Sequence, residues 1–239
     1  MRRRFFVAQI MTWLVLGVAL CPLGLASEVA NPVFGYTHLL PSPFTMPAGR
    51  LAIGTDVALG LTDFLQVGTG LIQDIYKVFN ANAKVSLVDI PDFAFAVTLG
   101  YETYNYQDID PANPDLRVNS WLPGGVAAFA VLPRVALFVG GNLNLSSTKL
   151  ITNGIATSGF VTGGRVESDM TWAYNSPKKK SRSVGNAISG GVSYDTDYKL
   201  FGFGISHHWP GFHLGFHYYP NATNYKLQPI LAGGVAMDF

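Results

Sequence analysis

The residues best suited to chemistry in this 239-residue chain are three histidines near its carboxy-terminal end. His208, His213 and His217 are spaced to share one face of two strands joined by a short turn at residues 210–211. In that arrangement His208 and His213 lie close together, with His217 four residues further along the same face. Imidazole nitrogens bind metals when several converge with carboxylate support. The alternative is that the three rings are polar residues of a protein interior or aromatic residues at an interface, and we expect no metal and no cofactor.

A second chemistry would need a nucleophile beside a base. Ser206 precedes His207 and His208. Side chains adjacent in a strand point to opposite faces, so Ser206 can pair only with His208 or with a residue across the hairpin.

The stretch His217-Tyr218-Tyr219-Pro220-Asn221-Ala222 resembles the His-aromatic-Ser-Asn-Ala stretch of outer-membrane lipid A deacylases. That resemblance implies a lipid-modifying enzyme. Pro220 stands where the family has its serine, and this departure removes the nucleophile. We therefore predict that the chain is not an enzyme, with an outer-membrane lipid-modifying enzyme kept as the alternative.

Residues 1–26 have the layout of a cleaved secretory signal peptide. Three arginines open the chain, a short apolar stretch runs from Phe5 to Leu20, and Gly24-Leu25-Ala26 supplies small residues for cleavage. The apolar stretch is too short for a helical span, which needs about 20 residues. We predict cleavage after Ala26, with cleavage after Ala30 as the alternative.

Cleavage there would change both charge and cysteine content. It takes away three of 16 basic residues and none of 15 acidic ones, which turns the formal charge from +1 to −2. The one cysteine, Cys21, also leaves, so a disulfide-stapled domain is excluded. Without a basic stripe, no nucleic acid is expected as a partner.

The mature chain alternates apolar and small or polar residues in segments too long for ordinary soluble sheets. We interpret 51–61 as one strand, and further strands follow at 65–71, 79–87, 93–101, 119–132, 135–147, 159–175, 184–195, 198–208, 212–219 and 226–239. No mature segment has 18 consecutive apolar residues, so a helical span is excluded. In lipid only a closed barrel then remains.

The final segment alternates from Leu227 to an aromatic carboxy-terminal residue, Phe239. Together with the hairpin at Gly60-Leu61-Thr62-Asp63, it makes the chain resemble the bacterial outer-membrane β-barrel class, without a specific family. The resemblance implies location in the outer membrane of the Gram-negative envelope, contact with its lipid and lipopolysaccharide, and recognition by the barrel-assembly machinery through the last strand. The residues of that insertion signal are Leu231, Val235, Met237 and Phe239.

In such a barrel the apolar face meets lipid and the other face lines the lumen, while aromatic residues gather at the membrane interfaces. The lumen-lining candidates are Asp56, Gln66, Asn80, Asn82, Lys84, Glu102, Asn142, Asn144, Arg165, Glu167, Asp169, His208, His213 and His217. The membrane-interface aromatics are Trp121, Trp172, Tyr174, Trp209, Tyr218 and Tyr219.

Single-chain bacterial barrels have an even number of strands, and eleven are read from Leu51 onward. We predict an all-β, single closed antiparallel up-and-down barrel of about 12 strands, with ten as the alternative. The twelfth would be Val33–Thr45, within an amino-terminal extension at 27–50 that precedes the barrel at 51–239. The longer connections at 106–117, 148–158 and 220–225 would lie outside the cell.

About twelve strands leave a narrow bore, since wide aqueous porins have 16 to 18. The Pro-rich amino-terminal stretch could close that bore by folding inward. The expected function is porin-like passage of a small solute of unknown identity, or a passive structural role. Besides the enzyme, a soluble secreted β-sandwich is the other alternative.

Overall fold

The structure is a computed structural model that describes residues 38–111, 113–132, 134–174, 186–209, 212–223 and 226–238. For 233–238 only the backbone is considered. The predicted signal peptide at 1–26, the stretch 27–37, the lysine-rich segment within 175–185 and the terminal Phe239 lie outside the described residues.

The described residues form twelve strands in one closed, antiparallel, up-and-down barrel, as predicted. One closed sheet also excludes the β-sandwich alternative. Two short helices, α1 (Leu71–Ile75) and α2 (Tyr106–Ile109), lie in connections between strands. The strands are β1 (Arg50–Gly54), β2 (Asp56–Thr62), β3 (Leu65–Gly70), β4 (Phe79–Ile90), β5 (Phe93–Asn105), β6 (Asp115–Leu132), β7 (Val135–Thr152), β8 (Ile155–Ala173), β9 (Ala187–Asp195), β10 (Leu200–Trp209), β11 (Phe212–Tyr218) and β12 (Leu227–Asp238).

In the parts of the chain that the structure describes, no helix is long and apolar enough to cross a lipid bilayer.

The twelfth strand does not come from where the sequence predicted it. Residues 51–61 are not one strand but the hairpin of β1 and β2, which reverses at Thr55. Within 38–45 there is no strand, so Val33–Thr45 does not supply one in its described part. The period of two runs through the hairpin unbroken because Ile53 pairs with Val57 across three connecting residues. Paired residues face the same side of the sheet. When an odd number of residues connects them, the alternation along the sequence continues through the turn, and the sequence pattern does not reveal that the chain reverses.

A second difference concerns residues 148–158, predicted as an outer loop. They are the ends of β7 and β8, joined by the two-residue turn Asn153-Gly154. Both turn residues have positive φ, 52° and 78°. That geometry is the hairpin turn for which Asn-Gly is the preferred sequence. The dipeptide was therefore a readable signal that the sequence interpretation missed.

The two ends of the barrel differ. The connections at 63–64, 91–92, 133–134 and 210–211 are short, and we name this the turn end. Both helices and the connections 153–154, 196–199 and 219–226 lie at the opposite loop end. The height of the wall is uneven, because β1 has 5 residues whereas β8 has 19.

Side chains alternate between the two faces of the wall as the sequence pattern predicted. Large apolar residues on the outer face are exposed, such as Leu143 at 57% and Phe216 at 50%. The inner face carries small and polar residues, many of them fully buried. Close to the turn end an apolar cluster fills the bore, formed by Leu40, Phe44, Ala94, Ala96, Val126, Ala128, Ala130, Ala136 and Phe138. Leu40 and Phe44 precede β1, so part of the amino-terminal extension lies inside the barrel.

Candidate functional site

Residues 38–49, here named the inner segment, run through the lumen and join β1 at the turn end. At the rim, Thr45 Oγ1 donates to the carbonyl of Asp63 at 2.6 Å. The amide of Ala48 donates to Asp63 Oδ1 at 3.1 Å. This part of the extension lies inside the bore, in keeping with the inward folding that the sequence analysis put forward for the Pro-rich stretch.

Asp169 on β8 holds the other end of the inner segment. Its Oδ2 accepts the backbone amides of His38, Leu39 and Leu40 at 3.0, 3.0 and 3.2 Å. Both His38 and Asp169 are buried, at 1% and 0% exposed. Burying a carboxylate is costly unless hydrogen bonds compensate it, and hydrogen bonds to a charged acceptor are the stronger ones. Asp169 is thus the main polar anchor of the inner segment.

A buried lysine supplies a second anchor. Lys84 on β4 donates from Nζ to the carbonyl of Ser42 at 3.0 Å. Lys84 is 6% exposed, and Ser42 is fully buried. The segment is therefore bound through its amides on one side of the lumen and through a carbonyl on the other.

The imidazole of His38 joins a hydrogen-bonded chain across the lumen. His38 Nδ1 lies 3.0 Å from Ser206 Oγ, and His38 Nε2 lies 2.9 Å from His217 Nδ1. His217 Nε2 in turn lies 2.9 Å from Ser193 Oγ. Burial lowers the pKa of the His38 imidazole to about 4, so this ring is neutral at pH 7. A neutral ring has one donor and one acceptor nitrogen, so with both rings neutral all hydrogen bonds of the chain point one way or all point the other.

The pair of Ser206 and His38 is a hydroxyl beside an imidazole, the arrangement that nucleophilic catalysis uses. The imidazole that Ser206 contacts therefore belongs to the inner segment and not to His208 or to a residue across the hairpin. The far nitrogen of His38 meets another imidazole, not a carboxylate that would orient it as a base. The contact of His38 with Ser206 connects the inner segment to β10.

The other two predicted histidines lie where the spacing placed them. His208 and His213 are paired across the hairpin of β10 and β11, and their rings stack with centroids 4.2 Å apart. His208 Nε2 lies 2.7 Å from Ser189 Oγ. His217 is separate from this pair and contacts His38 instead. No group of three or more potential ligands in the described part of the chain is arranged to hold a metal ion.

Above the inner segment the lumen holds a cavity of about 290 Å³. Arg165 and Glu167 line it and form an ion pair with each other. Lys84, Asn82 and Asn142 also line it. The lining combines polar with apolar side chains and carries charges of both signs, and its described residues form no ring of like charges that would select anions or cations.

The remaining lumen candidates form local hydrogen bonds close to the loop end or rim. Asn80 accepts from the amide of Gly70 at 2.6 Å and so fastens the end of β3. Glu102 accepts from Gln73 in α1 at 3.0 Å. Asn144 donates to Asp197 at 3.3 Å. Two others are half-buried, Gln66 beside the inner segment and Asp56 at the turn between β1 and β2.

Most predicted interface aromatics lie on the outer face. Trp121 and Trp172 are each 51% exposed and Trp209 is 39% exposed, while Tyr174 and Tyr218 are half-buried. The prediction for Tyr219 is wrong. Its side chain is 5% exposed, and its hydroxyl accepts from Arg165 at 3.0 Å. Tyr219 lies just beyond the end of β11, where the alternation of inner and outer residues places it on the same side as His217.

Of the predicted insertion signal, Leu231 lies on the outer face and is 55% exposed. Val235 and Met237 belong to β12, and their backbones pair with β1. What the sequence analysis missed altogether is the role of His38, since nothing in the spacing of this residue connects it with β8 or β10.

The close approach of the Asp169 carboxylate to Gly191 of β9 leads to a testable prediction. A Cβ added to Gly191 would overlap Asp169 Oδ1 and come within 3.2 Å of His38. Gly191→Ala should therefore push the carboxylate away from the inner segment, at a cost of about 1–3 kcal/mol for overpacking. The amides of residues 38–40 should exchange with solvent roughly 10-fold faster or more, as measured by hydrogen exchange.

The matched control is the adjacent Gly190→Ala. Its Cβ meets nothing closer than 3.6 Å, so exchange should stay as in the parent protein. Equal exchange in both variants would mean that Asp169 does not fix the segment.

Similarity to known proteins adds no further constraint on this site. No protein family, no curated protein and no solved structure matches the chain.

Proposed function

We propose that this protein is an integral β-barrel of a bacterial outer membrane whose bore is closed by the inner segment. The observation that carries the proposal is the distribution of side chains. Exposed Leu, Val, Ile, Phe and Trp residues cover the outer face of a closed sheet, while His, Asp, Lys and Ser residues are buried within it. A soluble protein buries its large apolar residues, whereas a barrel in lipid exposes them.

The activity proposed for it is restricted passage of a small solute. The cavity of about 290 Å³ above the inner segment is large enough for a small molecule, and the polar groups around it suit a hydrated one. Passage through the whole bore then requires movement of residues 38–44. The contacts of Ser206 and His38 give no reason to add catalysis or a cofactor to this proposal.

By the convention of outer-membrane barrels, the last strand ends in the periplasm. The turn end would then face the periplasm and the loop end would face lipopolysaccharide. The barrel-assembly machinery would engage β12, the strand that closes the barrel.

A charge placed on the outer face tests the membrane proposal. Leu143 lies in the middle of β7, and its side chain is 57% exposed. In water an exposed Leu→Arg change costs almost nothing, but at the bilayer midplane arginine costs about 2–4 kcal/mol. We expect Leu143→Arg to lower the fraction that folds into lipid vesicles, measured by the change in gel mobility on boiling and by resistance to carbonate extraction.

The matched control is Ser147→Arg, on the same strand and face but four residues nearer the loop end. It should insert almost as well as the parent protein, because the cost of arginine falls to about 0–1 kcal/mol near the interface. Equal folding of both variants, or release of the parent protein by carbonate, would contradict the membrane proposal.

A further inference from the structure

The last strand, β12, closes the barrel but does not pair with both neighbouring strands along its whole length. The half of β12 toward the loop end, 227–233, pairs with β11. The other half, 234–238, pairs with β1. The five-residue β1 ends at Gly54 and turns back into β2, so it gives 227–233 no partner. Among the described residues, the wall therefore has an opening beside this half of β12, here named the seam opening.

A second cavity, of about 260 Å³, lies at the seam opening. Asp56, Ile72 and Gln73 line it on one side, and Ile230 and Leu231 of β12 line it on the other. It extends inward to His213, which is 3% exposed, and to His38 and Leu39 of the inner segment, whereas Leu231 on the outer face is 55% exposed. One cavity thus includes both a buried lumen residue and a residue of the outer surface.

The inner end of this cavity has an unfilled hydrogen-bonding position. His213 Nε2 is buried and has no hydrogen-bond partner among the described residues. The ring is held in place by stacking on His208. A buried nitrogen left without a partner costs about 1–3 kcal/mol. A ligand hydroxyl would remove that cost, and it can donate or accept, so it fits either tautomer of the ring.

The charges of the lining select against an anion. Asp56 contributes a carboxylate, and no lysine or arginine lines the cavity in the described part of the chain. The apolar side chains of Ile72, Ile230 and Leu231 also line the cavity, together with the uncharged polar residues Thr55 and Gln73. A ligand that fits has a neutral polar head at His213 and an apolar body directed outward. Pockets for drug-sized ligands measure about 300–1,000 Å³, so this ligand is smaller, on the order of ten non-hydrogen atoms.

We propose that the seam cavity binds a small neutral amphiphile carrying one hydroxyl, which enters sideways from the membrane rather than along the barrel axis. This proposal rests on the membrane location proposed above and adds the class of ligand. The seam opening supplies the route, because it joins the cavity to the lipid-facing surface without displacing the inner segment.

The test uses protein that has passed the extraction test, placed in phosphatidylcholine nanodiscs and labelled with ¹⁵N-histidine. The chain has five histidines, so each ring can be followed by NMR. Titration with 1-octanol should shift the His213 signal in a saturable way and more than the signals of His207 and His217, which do not line the cavity. Octanoate, with the same chain and a charged head, should bind at least about tenfold more weakly because of Asp56.

Two variants make the result specific to the cavity. Ile230→Trp fills the seam opening and should abolish the shift, whereas Val192→Trp, on the outer face of β9 and away from β12, should leave it unchanged. An inserted parent protein whose His213 signal does not saturate, or octanoate binding as tight as octanol, would overturn the proposal. Both of these outcomes are measured on the parent protein, so they do not depend on whether a variant folds. Failure to insert would overturn the membrane proposal and this one together, and it would be seen before any ligand is added.

Discussion

Replacing Asp169 by alanine is expected to release the inner segment from the barrel wall. The change leaves the amides of His38, Leu39 and Leu40 without the acceptor that they share. Each buried donor without a partner costs about 1–3 kcal/mol, so a loss of at least about 3 kcal/mol in the attachment of the segment is expected. Since 1.4 kcal/mol is a factor of ten, the amides of these residues should exchange roughly 100-fold faster or more.

Hydrogen exchange followed by mass spectrometry measures this effect in folded protein. Asp169→Asn keeps one acceptor oxygen and should show a smaller increase than Asp169→Ala. Ser168→Ala, next to it on the other face of β8, should show none. Unchanged exchange in folded Asp169→Ala would mean that the other contacts, such as the packing of Leu40 and Phe44 and the bond of Lys84 to Ser42, retain the segment without Asp169.

Deleting residues 38–44 is expected to turn a closed barrel into a conducting one. The deleted stretch carries Leu40 and Phe44 of the apolar cluster and the Ser42 carbonyl bound by Lys84. Barrels of about eight strands are filled by their own side chains, and those of 16 to 18 leave an aqueous channel. With twelve strands and several alanines on the inner face, removal of the segment should leave a water-filled bore.

Conductance across a planar bilayer measures the change. The parent protein should give a nearly flat trace, and the deletion variant should give discrete steps. Slow gel mobility after boiling, compared with fast mobility before it, shows that the variant has kept its barrel. A folded deletion variant with a flat trace would mean that the strands themselves close the bore.

Much of the architecture was predictable because lipid-facing and lumen-facing residues must alternate in every strand. Positions such as Lys84 and Glu167 could be assigned to the inside from their register alone, and both are buried there. The contact of His208 with His213 followed from the length of one turn. The predicted number of twelve strands is correct, but the additional strand was assigned to the wrong residues. It arises because 51–61 form two strands, β1 and β2, rather than one.

The contacts of the site could not be predicted in the same way. Alternation states which side of the wall a residue faces but not which residue of a distant strand lies opposite. The bonds of Asp169 to the inner segment join residues about 130 positions apart, and the segment has no periodicity that would give its register. Tyr219 was misplaced because an aromatic near a strand end fits an interface as well as an interior.

The uneven pairing of β12 has a consequence for how the barrel comes apart. The β1–β12 junction is limited to the five residues of β1, whereas β7 and β8 hold each other over 18 and 19 residues. The β1–β2 and β3–β4 junctions have fewer residue pairs, three and four, but each of them joins strands that follow one another in the chain, whereas β1 and β12 are held together by pairing alone. The barrel should therefore open first by separation of β1 from β12, and during assembly the same junction should be the last to form.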